Sequence, residues 1–219
     1  MIPTRRFAAI GDIHAEDRRL DVVLTWLKSQ AVDAILSVGD LADGAGDLDR
    51  CCALLRARGV VGVRGNHDRW FYEDPFRHSE VGPAALRHLA ELPPTRRLST
   101  LRGDLLLCHG VGEDDMIRLR PGEDVGRAGL AQAALAVLLA DAGLRIVVGG
   151  HTHERMVRSF PRQAGPPLVF INPGTLHRDF APGFALVDLE RGVVEFHDVD
   201  ERPGSALAIG LTETHSLDP

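Results

Sequence analysis

The chain has 219 residues and a formal net charge of −6, from 31 acidic and 25 basic residues; 44% of it is hydrophobic and 26% charged. That balance excludes a disordered or collagen-like chain, and the length fits one large domain or two small ones. The mild acidity argues against a broad nucleic-acid-binding face. The most apolar stretch, Leu130 to Leu144, is broken by Gln132 and Asp141 and is too short to span a bilayer.

In chain order, Phe7 to Ile10 reads as a buried strand. Its apolar run is too short for a secretory leader, so no signal peptide is expected. Glu16 to Gln30 reads as a helix with Leu20, Val23, Leu24 and Leu27 on one face. Ala34 to Val38 is a second strand, Leu48 to Arg58 a second helix stopped by Gly59, and Val60 to Arg64 a third strand. Pro83 to Leu92 reads as a short helix ended by Pro93 and Pro94, and Leu105 to Cys108 as a buried strand. Gly129 to Ala142 is an Ala/Leu-rich helix, followed by a strand at Ile146 to Val148. From there the helical pattern stops. Met156 to Phe160, Leu168 to Ile171, Phe184 to Leu189 and Val193 to Asp198 read as strands separated by turns. One domain is expected over 1–200, with a local insert at about 69–97 and a loose tail at 201–219. The three cysteines, Cys51, Cys52 and Cys108, form no disulfide or zinc pattern, which suits a reducing, cytoplasmic setting.

Five short motifs fall at strand ends. They are Asp12-Ile13-His14, Gly39-Asp40-Leu41-Ala42-Asp43, Gly65-Asn66-His67-Asp68, His109-Gly110 and Gly149-Gly150-His151-Thr152-His153. D-x-H, G-x-x-D and H-x-H are common alone; G-N-H-D is much rarer, and the ordered set is rarer still. In open α/β sheets ligands bind beyond the carboxyl ends of strands, so the five loops are expected to converge. Residues i and i+2 of an extended segment share a side, which would pair Asp12 with His14 and His151 with His153. Mixed oxygen and imidazole donors suit Mn, Fe, Co, Ni or Zn better than Ca. Seven candidate ligands, Asp12, His14, Asp40, Asn66, His109, His151 and His153, exceed the needs of one ion and fit a two-metal centre.

The motif set resembles the calcineurin-like metallophosphoesterase superfamily over Asp12 to about Gly174. Asn172-Pro173-Gly174-Thr175 also resembles the N-P-G-[ST] strand end of the small bacterial phosphodiesterases in that superfamily. The resemblance implies a four-layer α/β/β/α sandwich of two mixed sheets flanked by helices. It implies one metal on Asp12, His14, Asp40 and His153, and a second on Asp40, Asn66, His109 and His151. Asp40 would bridge the two together with a hydroxide. His67 would lie over the site as the catalytic histidine, oriented by Asp68, and Asp43 would support the site rather than bind metal. The implied cofactors are two divalent transition-metal ions, manganese foremost. The implied substrate is a small phosphorylated molecule such as a nucleotide, cleaved at a phosphodiester. The alternatives left open are a phosphomonoesterase, a dinucleotide-polyphosphate hydrolase and a non-catalytic scaffold.

The protein Ser/Thr phosphatases of that superfamily carry G-D-x-x-D-R-G and G-N-H-E. Here Gly44 and Asp68 stand at the differing positions, which argues against that branch. Trp70, Phe71, Tyr72 and Phe76 of the insert are expected mainly to pack among themselves, with stacking on a nucleobase the alternative. His177 and Arg178 are candidates to touch a substrate phosphate. His78, His88, His197 and His215 are expected at the surface, and Cys108 inside.

Overall fold

Five residues of alternating aim open the fold. Arg6–Ile10 forms β1, whose Phe7 and Ala9 face one apolar cluster while Ala8 and Ile10 face another. A strand buried on both faces needs a layer on each side, and this strand is the centre of the first sheet. The computed structural model describes residues 3–125, 129–201 and 207–218.

Helix α1, Asp17–Leu27, turns Leu20, Val23, Leu24 and Leu27 inward, as their spacing predicts. Strand β2, Ala34–Ser37, runs parallel to β1. Helix α2, Leu48–Ala57, starts at Asp47, whose side chain accepts the Arg50 amide at 2.8 Å; such a cap contributes about 1 kcal/mol. Strand β3 is only Val61–Gly62, shorter than expected. The chain then turns directly into α3, Asn66–Glu73, a 3-10 helix at Pro75–Glu80 and α4, Pro83–Glu91. The stretch expected as an insert is therefore largely helix, and it ends in a strand the sequence pattern did not reveal, β4 at Thr95–Thr100. TRRLST lacks an alternating apolar face because β4 lies at the sheet edge, paired along its length with β5, Gly103–Cys108, and bridged only at its end to Thr4.

Helix α5, Leu130–Ala140, leads to β6, Leu144–Val148. The remaining strands are β7, Met156–Phe160, β8, Leu168–Asn172, β9, Gly183–Asp188, β10, Val193–Glu201, and β11, Leu207–Ser216. The tail expected to be loose thus contains a ten-residue strand that pairs antiparallel with β10, with a register shift at Phe196/His197. Its polar outward residues hid it: an edge strand over α1 buries little of itself.

The two sheets run β11-β10-β9-β1-β2-β3 and β4-β5-β6-β8-β7, each mixing parallel and antiparallel pairs. Phe7, Leu36 and Val38 meet Leu107, Ile146, Val148 and Ile171 between the sheets. α1, α2 and α4 cover the outer face of the first sheet, and Leu135 and Leu138 of α5 cover Val147, Leu168 and Phe170 of the second. The order is helix, sheet, sheet, helix, as expected. Each fully buried Phe or Leu contributes about 1.5–3 kcal/mol, which fixes the sheets rigidly under the loops they carry.

Candidate metal centre

The loops following β1, β2, β3, β5 and β6 meet at one edge of the two-sheet core. They are tied to one another through backbone. The His14 amide donates to the Asp40 carbonyl at 2.8 Å, and the Gly150 amide to the His109 carbonyl at 2.7 Å. The Asn172–Thr175 turn braces them from below. Asn172 Nδ2 donates to the Gly150 carbonyl at 2.9 Å, and the Thr175 hydroxyl to the Asp12 carbonyl at 2.7 Å.

The loops do not present their side chains from extended backbone. Asp12, His14, Asp40, His151 and His153 all have positive φ, between 38° and 68°. The expected same-side geometry of i and i+2 therefore does not apply; left-handed turns aim these residues inward instead. Each such residue costs roughly 1 kcal/mol or more, although Asp and His tolerate the region better than most. Two glycines allow the loops to close up. A Cβ at Gly65 would lie 2.1 Å from Asp40 Oδ1, and one at Gly150 would lie 2.6 Å from Asp12 Oδ2.

The result is two groups of donors that share one carboxylate. Asp12, His14, Asp40 and His153 present ligand atoms within 4.8 Å of one another, and so do Asp40, His109 and His151. Asn66 joins the second group, its Oδ1 lying 3.0 Å from His109 Nε2. All seven residues expected as ligands are thus brought together, in the two sets expected.

The chemistry of the set fits divalent cations. Nδ1 of His109 bonds the Val38 carbonyl at 2.8 Å, and Nδ1 of His14 lies 3.1 Å from the carbonyls of Ala42 and Asp43. Those bonds put the ring hydrogen on Nδ1 and leave Nε2 as a donor atom, the usual support of a metal-binding histidine. Nε2 of His14 then faces Nε2 of His153 at 3.2 Å, two lone pairs that a cation would satisfy. Burial lowers His151 and His153 to about 4, so both are neutral and free to ligate near neutral pH.

Two carboxylates are buried here, and the groups that answer them are histidines. Burial pushes Asp12 up to about 8, against the pull of His109. Asp40 also suffers burial, but His109, His67 and His14 around it outweigh that and hold its carboxyl below the usual range. The same attraction raises His109 to about 9 despite its burial: a proton there takes the place a metal cation would fill.

His67 stands beside the centre, half-buried. Its amide donates to Asp40 Oδ1 at 2.9 Å and its Nε2 lies 4.0 Å from Asp40 Oδ2. Its orienting partner is Asp43 and not Asp68: His67 Nδ1 meets Asp43 Oδ2 at 2.7 Å. Asp43 Oδ1 in turn pairs with Arg77 at 2.6 Å. Asp68 is turned away because α3 begins at Asn66, which places residue 68 over the helix start. There its carboxylate accepts the amides of Gly65, Leu41 and Ala42 at 2.7–3.0 Å. It staples two loops together, and among the described residues it makes no hydrogen bond to the His67 ring. The signal for Asp43 was present, as the second aspartate of G-D-x-x-D. Arg77, on the 3-10 helix, had none.

Of the other candidates, His177 sits over the first donor group, its ring 5.1 Å from that of His14 and 6.2 Å from that of His153. Arg178 is instead engaged with Glu16, through its amide at 3.0 Å and Nε at 2.6 Å. Phe71 is buried, but Trp70, Tyr72 and Phe76 are exposed, so the aromatic stretch does not form a core of its own. Trp70 packs against His67, and Phe180, which the sequence did not single out, against His153. His197 is buried, not at the surface, and Cys108 is buried as expected.

Comparison with known proteins agrees with the geometry. The profile of the family described as calcineurin-like phosphoesterase superfamily domain matches residues 6–192. No curated protein matches the chain significantly. Among solved structures, a metallophosphoesterase from Sphaerobacter thermophilus is 23% identical with a TM-score of 0.67, over 90% of this chain and 89% of the other. YfcE, a phosphoesterase from E. coli, is 15% identical with a TM-score of 0.57, over 97% and 100%. Vps29 from Entamoeba histolytica, solved with Zn²⁺, is 19% identical with a TM-score of 0.59, over 97% and 99%. At these identities the structural likeness is one of fold.

Proposed function

The chain belongs to the calcineurin-like phosphoesterase superfamily, and on that premise we propose that it hydrolyses phosphodiester bonds of small molecules such as nucleotides. The observation that carries the reading is the pair of Asp/His groups sharing Asp40. Asp12, His14, Asp40 and His153 would hold one divalent ion, and Asp40, Asn66, His109 and His151 a second, with manganese the first candidate. When bound, such ions supply positive charge to phosphate oxygens and lower the pKa of water enough to provide a nucleophile near neutral pH.

The protein's own residues do the rest. Asp40, shared by both groups, sets their spacing. The Nδ1 bonds of His14 and His109 to backbone carbonyls fix the rings so that Nε2 faces inward. The hydrogen bond that His67 Nδ1–H donates to Asp43 raises the basicity of His67, with burial opposing. With Nδ1–H given to Asp43, a second proton taken up on Nε2, beside Asp40, would be placed for transfer to the leaving oxygen. Asp43 keeps that ring from turning and stays charged, because His67 and Arg77 both hold its carboxyl below the usual range.

The test is hydrolysis of bis-p-nitrophenyl phosphate against p-nitrophenyl phosphate by metal-stripped protein with Mn²⁺ restored. Preference for the diester is expected. Preference for the monoester would replace this reading with that of a phosphomonoesterase. Silence on both, with metal bound, would direct the search to phosphate anhydrides or to a scaffold.

A further inference from the structure

Arg118 lies on the loop between β5 and α5, nine residues beyond His109, and no sequence motif marks it. Its Nε donates to His151 Nε2 at 3.2 Å, and its side chain is exposed. Four arginines around the centre are committed to carboxylates: Arg69 to Asp115, Arg77 to Asp43, Arg120 to Glu154 and Arg178 to Glu16. Arg118 has no carboxylate partner among the described residues. An arginine next to a metal ligand, with most of its five donors unused, is a cation waiting for an anion.

We infer that Arg118 binds the phosphate group of the substrate on the His151 side of the centre. This rests on the phosphoesterase reading above and names a residue that reading did not need. A guanidinium matches two phosphate oxygens at once, in a planar fork that lysine cannot copy. With His151 Nε2 given to a cation, the Arg118 Nε–H also loses its acceptor, and a phosphate oxygen beside His151 restores it.

The loop is held in place for this task. Arg69 grips Asp115 with two bonds, Nε to Oδ2 at 2.7 Å and Nη2 to Oδ1 at 2.9 Å. Arg69 belongs to α3, the helix whose first turn carries Asn66 and His67. The Arg118 loop is therefore fixed to the element that presents His67. Within the loop, Asp114 Oδ1 accepts the Met116 amide at 2.8 Å. Gly110 lies so close to the carbonyls of Asp114 and Ile117 that a Cβ would collide with both. The cation thus approaches the donor groups, at His151, from a preorganised position.

The experiment compares wild type, Arg118→Ala and Arg118→Lys, each loaded with Mn²⁺, by calorimetric titration with inorganic phosphate. Mn²⁺ binding is titrated separately, and KM and kcat are measured on bis-p-nitrophenyl phosphate. Arg118→Ala is expected to weaken phosphate binding by about tenfold or more, with Mn²⁺ affinity unchanged within twofold. Arg118→Lys is expected to recover only part of it. The kinetic loss is expected chiefly in KM, since the contact exists in both ground and transition states. Equal phosphate binding by wild type and Arg118→Ala overturns the inference. So does tighter Mn²⁺ binding by Arg118→Ala without loss of phosphate, which would make Arg118 a competitor for His151. Wild type that binds phosphate through Arg118 yet turns over no phosphoester would overturn the functional reading and leave this one standing.

Discussion

Asp43 accepts His67 Nδ1 on one oxygen and Arg77 on the other, so three residues from a loop, a helix start and a 3-10 helix act as one chain. None of the three is in either donor group. This separates orientation from metal binding. Asp43→Asn is expected to lower kcat about 10–100-fold, the usual cost of losing an orienting partner, while metal content stays at the wild-type value by elemental analysis. A loss of metal in step with activity would make Asp43 a ligand and end this assignment. The same residue explains why charge alone did not reveal the arrangement. Asp68 is next to His67 in sequence and Asp43 lies 24 residues before it, yet the turn into α3 carries Asp68 away and leaves Asp43 at the ring.

At the scale of elements, β10 and β11 carry a liability of their own. His197, on β10 at the register shift, is buried; its ring stacks on Phe184 at 5.2 Å and packs on Trp26 at 4.9 Å. Neither ring nitrogen has a hydrogen-bond partner among the described residues. Burial lowers its pKa below 6.5, with Glu195, 3.9 Å away, and Asp198 opposing and Arg155 and Arg6 assisting. The folded state keeps His197 neutral, whereas the unfolded chain takes up a proton below about pH 6.5. Its contribution to stability is therefore complete above that pH and is lost as the pH falls towards the folded pKa. Thermal melts from pH 7.5 to 5 are expected to show a smaller acid decline in His197→Phe than in wild type. An identical slope in both would show that His197 is already charged in the fold. The three cysteines carry no comparable liability: burial raises all three thiols, Cys52 and Cys108 up to about 12, which leaves them unreactive.

For the whole molecule, the edge of the two sheets holds Asp12 and Asp40 buried and at least five residues in left-handed backbone. The cores on either side of the sheets carry that strain. Cations that bind the folded state alone stabilise it by mass action, about 2.7 kcal/mol at a hundredfold excess over Kd. Chelation is expected to lower Tm by about 5 °C or more for a chain of this length, with recovery on adding Mn²⁺. An unchanged Tm, with metal removal verified, would mean the donor groups are stable on protons alone. Among the described residues no helix is long and apolar enough to cross a membrane.

The sequence by itself determined the layers and the donor set. Periodicity marks β1, α1, β2 and α2 because those elements bury a regular face, and the seven donors stand next to strand ends where a parallel arrangement must gather them. Elements that bury little, β4 and β11, leave no such pattern and were not legible. Which partner each side chain takes was decided only by the tertiary structure. Asp43 rather than Asp68 on His67, Arg178 on Glu16, Arg118 on His151 and His197 under Trp26 all join residues far apart along the chain or separated by a turn. Hydrogen bonds and ion pairs act over about 3–4 Å. Composition and period specify which face a residue occupies, but not a distance that small.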